Sequence, residues 1–235
     1  MASQTSVERF VDFSGELAVQ GFLDVPVHEN GDSLVLTHGA GANCESQLLV
    51  AVGNAFAEAG FNVLRCDLPF RQVRPHGPPF PGGAARDRDG LRRAIAALRA
   101  RTLGQRSGGR VFIGGHSYGG RQVTMLIAEE PELVDGLLLL SYPLHPPRKP
   151  SELRVAHFPK LGKPALFVHG DRDPFGSVEE MKSALELIPA RKMLLEISGA
   201  GHELMGKSAS SNLPIQIVAA LHAFLTEGSS QTETI

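Results

Sequence analysis

Short apolar runs alternate along the chain with longer stretches in which apolar residues recur every third or fourth position, and that alternation predicts strands separated by helices. Residues 7–13 and 16–25 predict an opening hairpin around Ser14-Gly15, and residues 33–38 form the first strongly apolar strand. Residues 47–59 carry Leu48, Val52, Ala55, Phe56 and Ala59 at helical spacing and stop at Gly60, a residue suited to a helix end. A strand over 62–68 follows, then a helix over 89–103 with Leu91, Ile95 and Leu98 on one face, ended by Gly104. Strand 110–115, helix 118–130 stopped by Pro131, strands 136–141 and 165–169, helix 178–188, strand 192–197 and helix 213–225 complete the pattern. Eight strands in this order predict an α/β fold: a mostly parallel sheet with crossover helices on both faces.

Two stretches carry no period. Residues 69–86 are rich in proline, glycine and arginine and predict a long surface loop, of the kind that serves as a lid or binding segment. Residues 143–163, with Pro143, Pro146, Pro147, Pro150 and Pro159, exclude a long helix and leave little room for a separate cap domain. The polar stretch 226–235 is expected to fray. At 235 residues the chain is read as one domain over 1–235, since α/β folds commonly occupy roughly 200 to 250 residues as a unit.

Apolar residues make up 42% and charged residues 20% of the chain, an ordinary globular balance that predicts a sizeable core and excludes a disordered or fibrous class. Lysine and arginine total 23 against 25 acidic residues, so a net charge of -2 provides no field for nucleic acid or anionic lipid. Residues 1–6 lack the layout of a secretory signal, and no apolar run approaches the roughly 18 residues of a membrane span. Cys44 and Cys66, in a predicted loop and at a strand end, make neither a metal spacing nor a disulfide framework. A reducing cytoplasm is the expected location, and a small molecule the expected partner.

The chemistry centres on Gly115-His116-Ser117-Tyr118-Gly119, between the apolar run Val111-Phe112-Ile113 and the helical run from Gln122 onward. A strand turning sharply into a helix on one serine, between glycines that let the backbone pass close, is the geometry of a nucleophile elbow. A serine hydroxyl is a poor nucleophile at neutral pH and needs a neutral imidazole to take its proton and a carboxylate to orient that imidazole. Such partners belong at strand ends on the same edge of the sheet. Asp171 and Asp173 follow strand 165–169, and His202 follows strand 192–197. His38, His116 and His169 each adjoin a motif residue and read as packing or supporting groups. Arg71, Arg74, Arg86 and Arg88 read as a solvated charged face of the long loop.

Residues 201–208 also match the letters of a phosphate-cradling loop, an alternative reading as a nucleotide-binding protein. Its context counts against it, because residues 208–212 intervene before the next helix, whereas such a loop opens a helix directly.

Four motifs, Leu36-Thr37-His38-Gly39-Ala40-Gly41, Gly115-His116-Ser117-Tyr118-Gly119-Gly120, His169-Gly170-Asp171-Arg172-Asp173-Pro174 and Gly199-Ala200-Gly201-His202, give the chain a resemblance to the α/β-hydrolase superfamily over essentially its full length. Through Ser141-Tyr142-Pro143-Leu144-His145-Pro146-Pro147 and Asp173-Pro174-Phe175-Gly176 it is more narrowly similar to the cap-less dienelactone-hydrolase-like branch, which includes proteins related to a subunit of the NSL complex. The resemblance implies the chain order Ser, Asp, His, with Ser117, Asp173 and His202 catalytic; Asp173 stands three residues after Gly170, and Asp171 is the reserve. It further implies an oxyanion hole from the backbone N–H of Tyr118 and one from the loop Gly39-Ala40-Gly41-Ala42, with Ala40 favoured and Gly41 the fallback. Dienelactone hydrolases proper carry cysteine at the elbow; Ser117 moves the expected substrate away from dienelactone.

The expected activity is therefore that of a carboxylesterase-type serine hydrolase on esters of small or medium acyl chain, requiring no metal or cofactor. Gly39, Gly41, Phe70, Tyr142 and Phe175 are the expected pocket residues. A hydrolase-like protein used only for interaction is the alternative from another class, because a fold does not fix a function.

Overall fold

Every second residue of the central strands faces the same layer, and the two sets are apolar on both sides. On β3 (Ser33–Thr37) Leu34 and Leu36 face one layer and Val35 the other, and on β6 (Gly136–Leu140) Leu138 and Leu140 oppose Leu137 and Leu139. Strands buried on both faces need helices on both faces, and the chain supplies them. The computed structural model describes residues 5–102, 109–205 and 212–229.

The remaining strands are β1 (Ser6–Asp12), β2 (Val19–Val25), β4 (Asn62–Cys66), β5 (Val111–His116), β7 (Ala165–Gly170) and β8 (Lys192–Ile197). They form one eight-stranded sheet in the order β1-β2-β4-β3-β5-β6-β7-β8, with β1, β2 and β4 paired antiparallel and the rest parallel. Helices α1 (Gln47–Glu58) and α6 (Leu213–Ser229) cover one face; α3 (Ala84–Thr102), α4 (Tyr118–Glu129) and α5 (Val178–Leu185) cover the other. Each fully buried leucine, valine or phenylalanine of these layers contributes about 1.5–3 kcal/mol, so the sheet is a rigid platform for the loops at its edge. No described helix is long and apolar enough to cross a membrane.

From β3 the chain crosses to β4 on one side and then to β5 on the other, so the strand order reverses beside β3. A reversal of this kind opens a crevice at the carboxyl ends of the strands, the usual ligand position in open α/β sheets. The loop after β3 and the elbow after β5 meet there, with Thr37 registered against Gly115.

The eight predicted strands are present with ends shifted by up to three residues, but three other segments differ from expectation. The stretch 69–86 is not one loop: it opens with α2 (Pro69–Val73), and its last residues are the first turn of α3. Pro69 sits at the first position of α2, where its missing N–H costs nothing. The buried carboxylate of Asp87 accepts the Phe70 N–H at 3.1 Å and locks the two helix starts together. Helix α5 stops at Leu185 and finishes in a turn, Ile188 N–H to Leu185 carbonyl at 3.0 Å. The tail expected to fray from 226 is helical through Ser229, with the Thr226 hydroxyl on the His222 carbonyl at 3.1 Å; residues 230–235, like Leu103 and Gly104, lie outside the described residues. Between β6 and β7 the only regular element among the described residues is a 3₁₀ turn, Phe158–Lys160.

One buried ion pair ties the antiparallel edge to the parallel centre. Arg65 on β4 donates from Nε and Nη2 to the two oxygens of Asp24 on β2, at 2.6 and 2.8 Å, and from Nη1 to the Cys44 carbonyl at 3.0 Å. Gly53 of α1 leaves room for it, since a Cβ there would stand 2.4 Å from the Asp24 carboxylate. Asp24→Ala leaves a buried, unpaired guanidinium and is expected to cost about 3–5 kcal/mol in urea unfolding; a loss under about 1 kcal/mol contradicts that role.

Candidate active site

Three loops leave the same sheet edge and bring together side chains far apart in the chain. Ser117 follows β5 with φ 50° and ψ -116°, a left-handed conformation that costs a non-glycine residue about 1–3 kcal/mol. The turn is held by the Ser117 N–H on the Leu140 carbonyl at 2.9 Å. Gly119 makes the turn sterically possible, because a Cβ there would stand 2.5 Å from the His38 carbonyl of the neighbouring loop.

The Ser117 hydroxyl lies 2.7 Å from Nε2 of His202, and Nδ1 of His202 lies 2.8 and 3.0 Å from the two oxygens of Asp173. Facing a carboxylate, Nδ1 carries the proton, which leaves the Nε2 lone pair to accept from the serine. The Asp173 side chain is wholly buried and also accepts the Phe175 N–H at 2.9 Å, while the His202 side chain is 14% exposed and so reachable from outside. The ring of Phe175 lies against that of His202, centroids 4.1 Å apart. Asp171, the reserve carboxylate, is exposed and accepts the Gly199 N–H at 2.8 Å, the bonding of a turn residue.

The three supporting histidines share one task. Each is buried and holds a backbone carbonyl of a loop at this edge. His38 accepts the Leu68 N–H on Nε2 at 3.1 Å, so its Nδ1 donates to the Gly39 carbonyl at 2.8 Å. His116 donates from Nε2 to the carbonyl of His202 at 2.9 Å, and His169 from Nε2 to that of Gly176 at 2.7 Å. Burial, more than any neighbouring charge, depresses the proton affinity of His38 and His116 below the ordinary 6.5 and keeps both neutral.

Behind the loop after β3 stands Arg71, which sequence reasoning placed on a solvated face. It is only 4% exposed. Its Nη2 donates to the carbonyls of Ala40 and Gly77 at 2.6 and 3.0 Å, its Nε to that of Ala42 at 2.7 Å and its Nη1 to that of Arg74 at 3.0 Å. With these carbonyls turned inward, and the Gly39 carbonyl held by His38 and by the Ala42 N–H at 3.2 Å, the loop 39–42 is clamped from behind. Among the described residues no acceptor takes the backbone N–H of Ala40 or of Tyr118. The latter opens α4, where an orphan donor is expected.

Of the residues expected to line a pocket, Gly39 and Gly41 lie in the clamped loop and Phe175 covers His202. Phe70 and Tyr142 do not line an opening. Phe70 is 4% exposed and packs edge-on to His38 and Tyr118, beneath the loop. Tyr142 is 1% exposed, packs on Phe158 and Phe167 and donates its hydroxyl to the Arg154 carbonyl at 2.6 Å, so it belongs to the core. Sequence reasoning also missed Asp87, whose carboxylate accepts the Tyr118 hydroxyl at 2.7 Å and fixes that ring; burial raises its pKa.

The phosphate-loop reading of 201–208 fails on its described part. His202 is bonded within the cluster just described and β8 ends at Ile197, so the run does not follow a strand directly; residues 206–208 lie outside the described residues.

A family model described as an alpha/beta hydrolase domain matches residues 30–224. The chain is 26% identical over 171 residues to the putative protein-lysine deacylase ABHD14B of Rattus norvegicus, covering 72% of this chain and 74% of that protein. In fold it is similar to the dienelactone hydrolase of Anabaena variabilis, with a TM-score of 0.74 at 22% identity over 94% of this chain and 99% of that one. It is likewise similar to a lid-less α/β serine hydrolase of Xanthomonas campestris, with a TM-score of 0.65 at 16% identity over 95% and 96% of the two chains.

The buried imidazoles make stability depend on pH with a definite sign. Because the folded-state values of His38 and His116 lie below 6.5, the unfolded chain takes up protons that the folded chain refuses, so stability falls as pH drops from about 7 towards 5. Asp87 acts in the opposite sense, losing stability as pH rises from its ordinary 3.8. Urea unfolding at pH 7.5 and 5.5 is expected to show the decline, and a smaller one in His116→Gln; equal stability at both pH values contradicts it.

Proposed function

The chain belongs to the alpha/beta hydrolase family, and we propose that it is a serine hydrolase that forms an acyl-enzyme on Ser117. One observation carries the proposal: the unbroken hydrogen-bonded line from the Ser117 hydroxyl through His202 to Asp173, at 2.7 and 2.8 Å. His202 takes the serine proton as Oγ attacks a carbonyl carbon, and Asp173 stabilises the imidazolium that results. The proton then passes to the leaving group, and the same imidazole activates the water that releases the acyl group. The N–H groups of Tyr118 and Ala40 receive the negative oxygen of the tetrahedral intermediate, each worth about 3 kcal/mol to the transition state. Arg71 serves this step indirectly by keeping the Ala40 and Ala42 carbonyls turned away from the substrate.

The preferred substrates are soluble esters of small or medium acyl chain. The absence of a helical cap among the described residues between β6 and β7 supports this, since no helix of that segment stands over the mouth to enclose a long lipid chain. The buried, free Cys44 and Cys66 fit a reducing cytoplasm. A second reading, removal of an acyl group from a lysine side chain, is favoured by the likeness to a curated relative named as a putative protein-lysine deacylase. The same nucleophile and oxyanion donors serve it, with His202 protonating the amine that leaves.

Labelling with a serine-directed fluorophosphonate followed by peptide mapping is expected to modify Ser117 and no other residue. With p-nitrophenyl esters from acetate to octanoate as substrates, Asp173→Asn is expected to lower kcat by about 10⁴-fold, and His202→Ala at least as far. Asp171→Asn should stay within about twofold of wild type, because its carboxylate bonds only turn groups. Arg71→Met should lower kcat by about 100-fold with little change in KM, as expected when a positioned donor is displaced. Modification of another serine, or a larger loss from Asp171→Asn than from Asp173→Asn, would break the assignment. A peptide carrying acetyl-lysine, assayed beside the esters, decides between the two substrate readings by the higher kcat/KM.

A further inference from the structure

Apart from the elbow, α4 borders a second concavity. Its outward face, with Arg121, Met125 and Glu129, and the segment 153–160 line a half-open concavity of about 330 Å³, a size common for small-molecule sites. Three cations line it: Arg121 from the helix, and Arg154, whose Nη1 also donates to the Pro143 carbonyl at 3.4 Å, and Lys160 from the segment. Among the described residues none of the three has a carboxylate within ion-pair distance. Glu152, the nearest acid in sequence to Arg154, is paired with Lys149 at 2.8 Å while its charge still reaches Arg154, and Glu129 is the acid that lines the cavity.

The nitrogen Nε of Arg121 is sealed from solvent with no hydrogen-bond partner, an arrangement that costs a buried donor about 1–3 kcal/mol. The positive charge of Arg121 is felt by both neighbours. After burial it is the next cause that lowers the proton affinity of Arg154, and it also helps to bring His157 down to about 4. Arg121 and Arg154 repel each other, and an anion beside them would relieve it.

The walls are fixed before any ligand arrives. The Tyr142 hydroxyl holds the Arg154 carbonyl at 2.6 Å, and His157 bonds the Thr124 hydroxyl of α4 at 2.8 Å. Since that hydroxyl donates to the Arg121 carbonyl, it accepts from Nε2–H of a neutral His157. Met125 and Leu153, the latter 51% exposed, give the cavity an apolar side next to its cationic one.

We propose that this cavity binds a small organic anion, a carboxylate or a phosphate monoester, with its oxygens on Arg121, Arg154 and Lys160 and its apolar part on Met125 and Leu153. The site stands on different residues from those around Ser117. Binding is therefore measured in Ser117→Ala protein by calorimetric titration, with hexanoate and hexyl phosphate as probes and hexanol as the uncharged control.

Saturable binding of at least one anion is expected, weakening with added salt and by tenfold or more in Arg121→Gln and in Arg154→Gln, while Arg121→Lys retains most of it. Lys160→Gln, at an exposed position, provides a variant that does not threaten folding and should weaken binding severalfold; thermal unfolding of each variant checks the fold. Absence of binding by both anions, equal binding by hexanol, or affinity unchanged in every folded variant overturns the proposal. None of those results bears on the chemistry assigned to Ser117.

Discussion

A hydrogen bond of 2.7 Å between residues 85 positions apart, Ser117 and His202, is the constraint that the architecture of this edge serves. Side chains on free loops do not keep such a distance, because each loop would have to be ordered against its own conformational entropy. Here the cost is met by the sheet, whose parallel registers bring β3, β5, β7 and β8 to one rim, and by side chains that fasten each loop to that rim. His38 holds the carbonyl of Gly39, His116 that of His202 and His169 that of Gly176. An imidazole suits the task, since each ring supplies a directed donor at a buried carbonyl.

Arg71 fills the same role with a charge. Its guanidinium is nearly buried and satisfied by four carbonyl oxygens, so it orders two separate loop pieces, 40–42 and 74–77, about one centre. The strained backbone of Ser117 is tolerated for a related reason: its N–H is held by the Leu140 carbonyl and its helix packs into the sheet, so the turn cannot relax without breaking both. Rigidity at this rim is distributed over carbonyl contacts and does not depend on a cap.

The parts legible in the sequence are those with a period or a fixed place relative to a strand. The short apolar runs in 33–38 and 136–141 and the helical spacing of Leu48, Val52 and Phe56 marked elements that the structure contains. Ser117, His202 and the pair Asp171 and Asp173 could be picked because each follows a strand end, and the resemblance to the α/β-hydrolases favoured Asp173; the structure brings Ser117, His202 and Asp173 together. The stretch 69–86 hid more. A five-residue helix has too few positions to show a period, and Pro69 reads as a loop residue unless its place at the helix start is known. Arg71 is one of several arginines there, and nothing local distinguishes the buried one from those in water. Asp87 was likewise lost among the charges at the start of α3, and Phe70 and Tyr142 drew attention as aromatics near the site although their rings pack inward. What separates these cases is long-range packing, such as the reach of Arg71 to Ala40 across 31 positions.

The central claim is that Ser117, His202, Asp173 and the N–H groups of Ala40 and Tyr118 form one preorganised device for acyl transfer. A crystal structure of the protein after reaction with a fluorophosphonate tests it most directly, because the adduct imitates the tetrahedral intermediate. The account predicts phosphorus bonded to Ser117 Oγ, the phosphoryl oxygen about 2.7–3.1 Å from both N–H groups, and His202 still on Asp173. An adduct whose phosphoryl oxygen points away from Ala40 and Tyr118, or a His202 ring swung off Asp173, would contradict it.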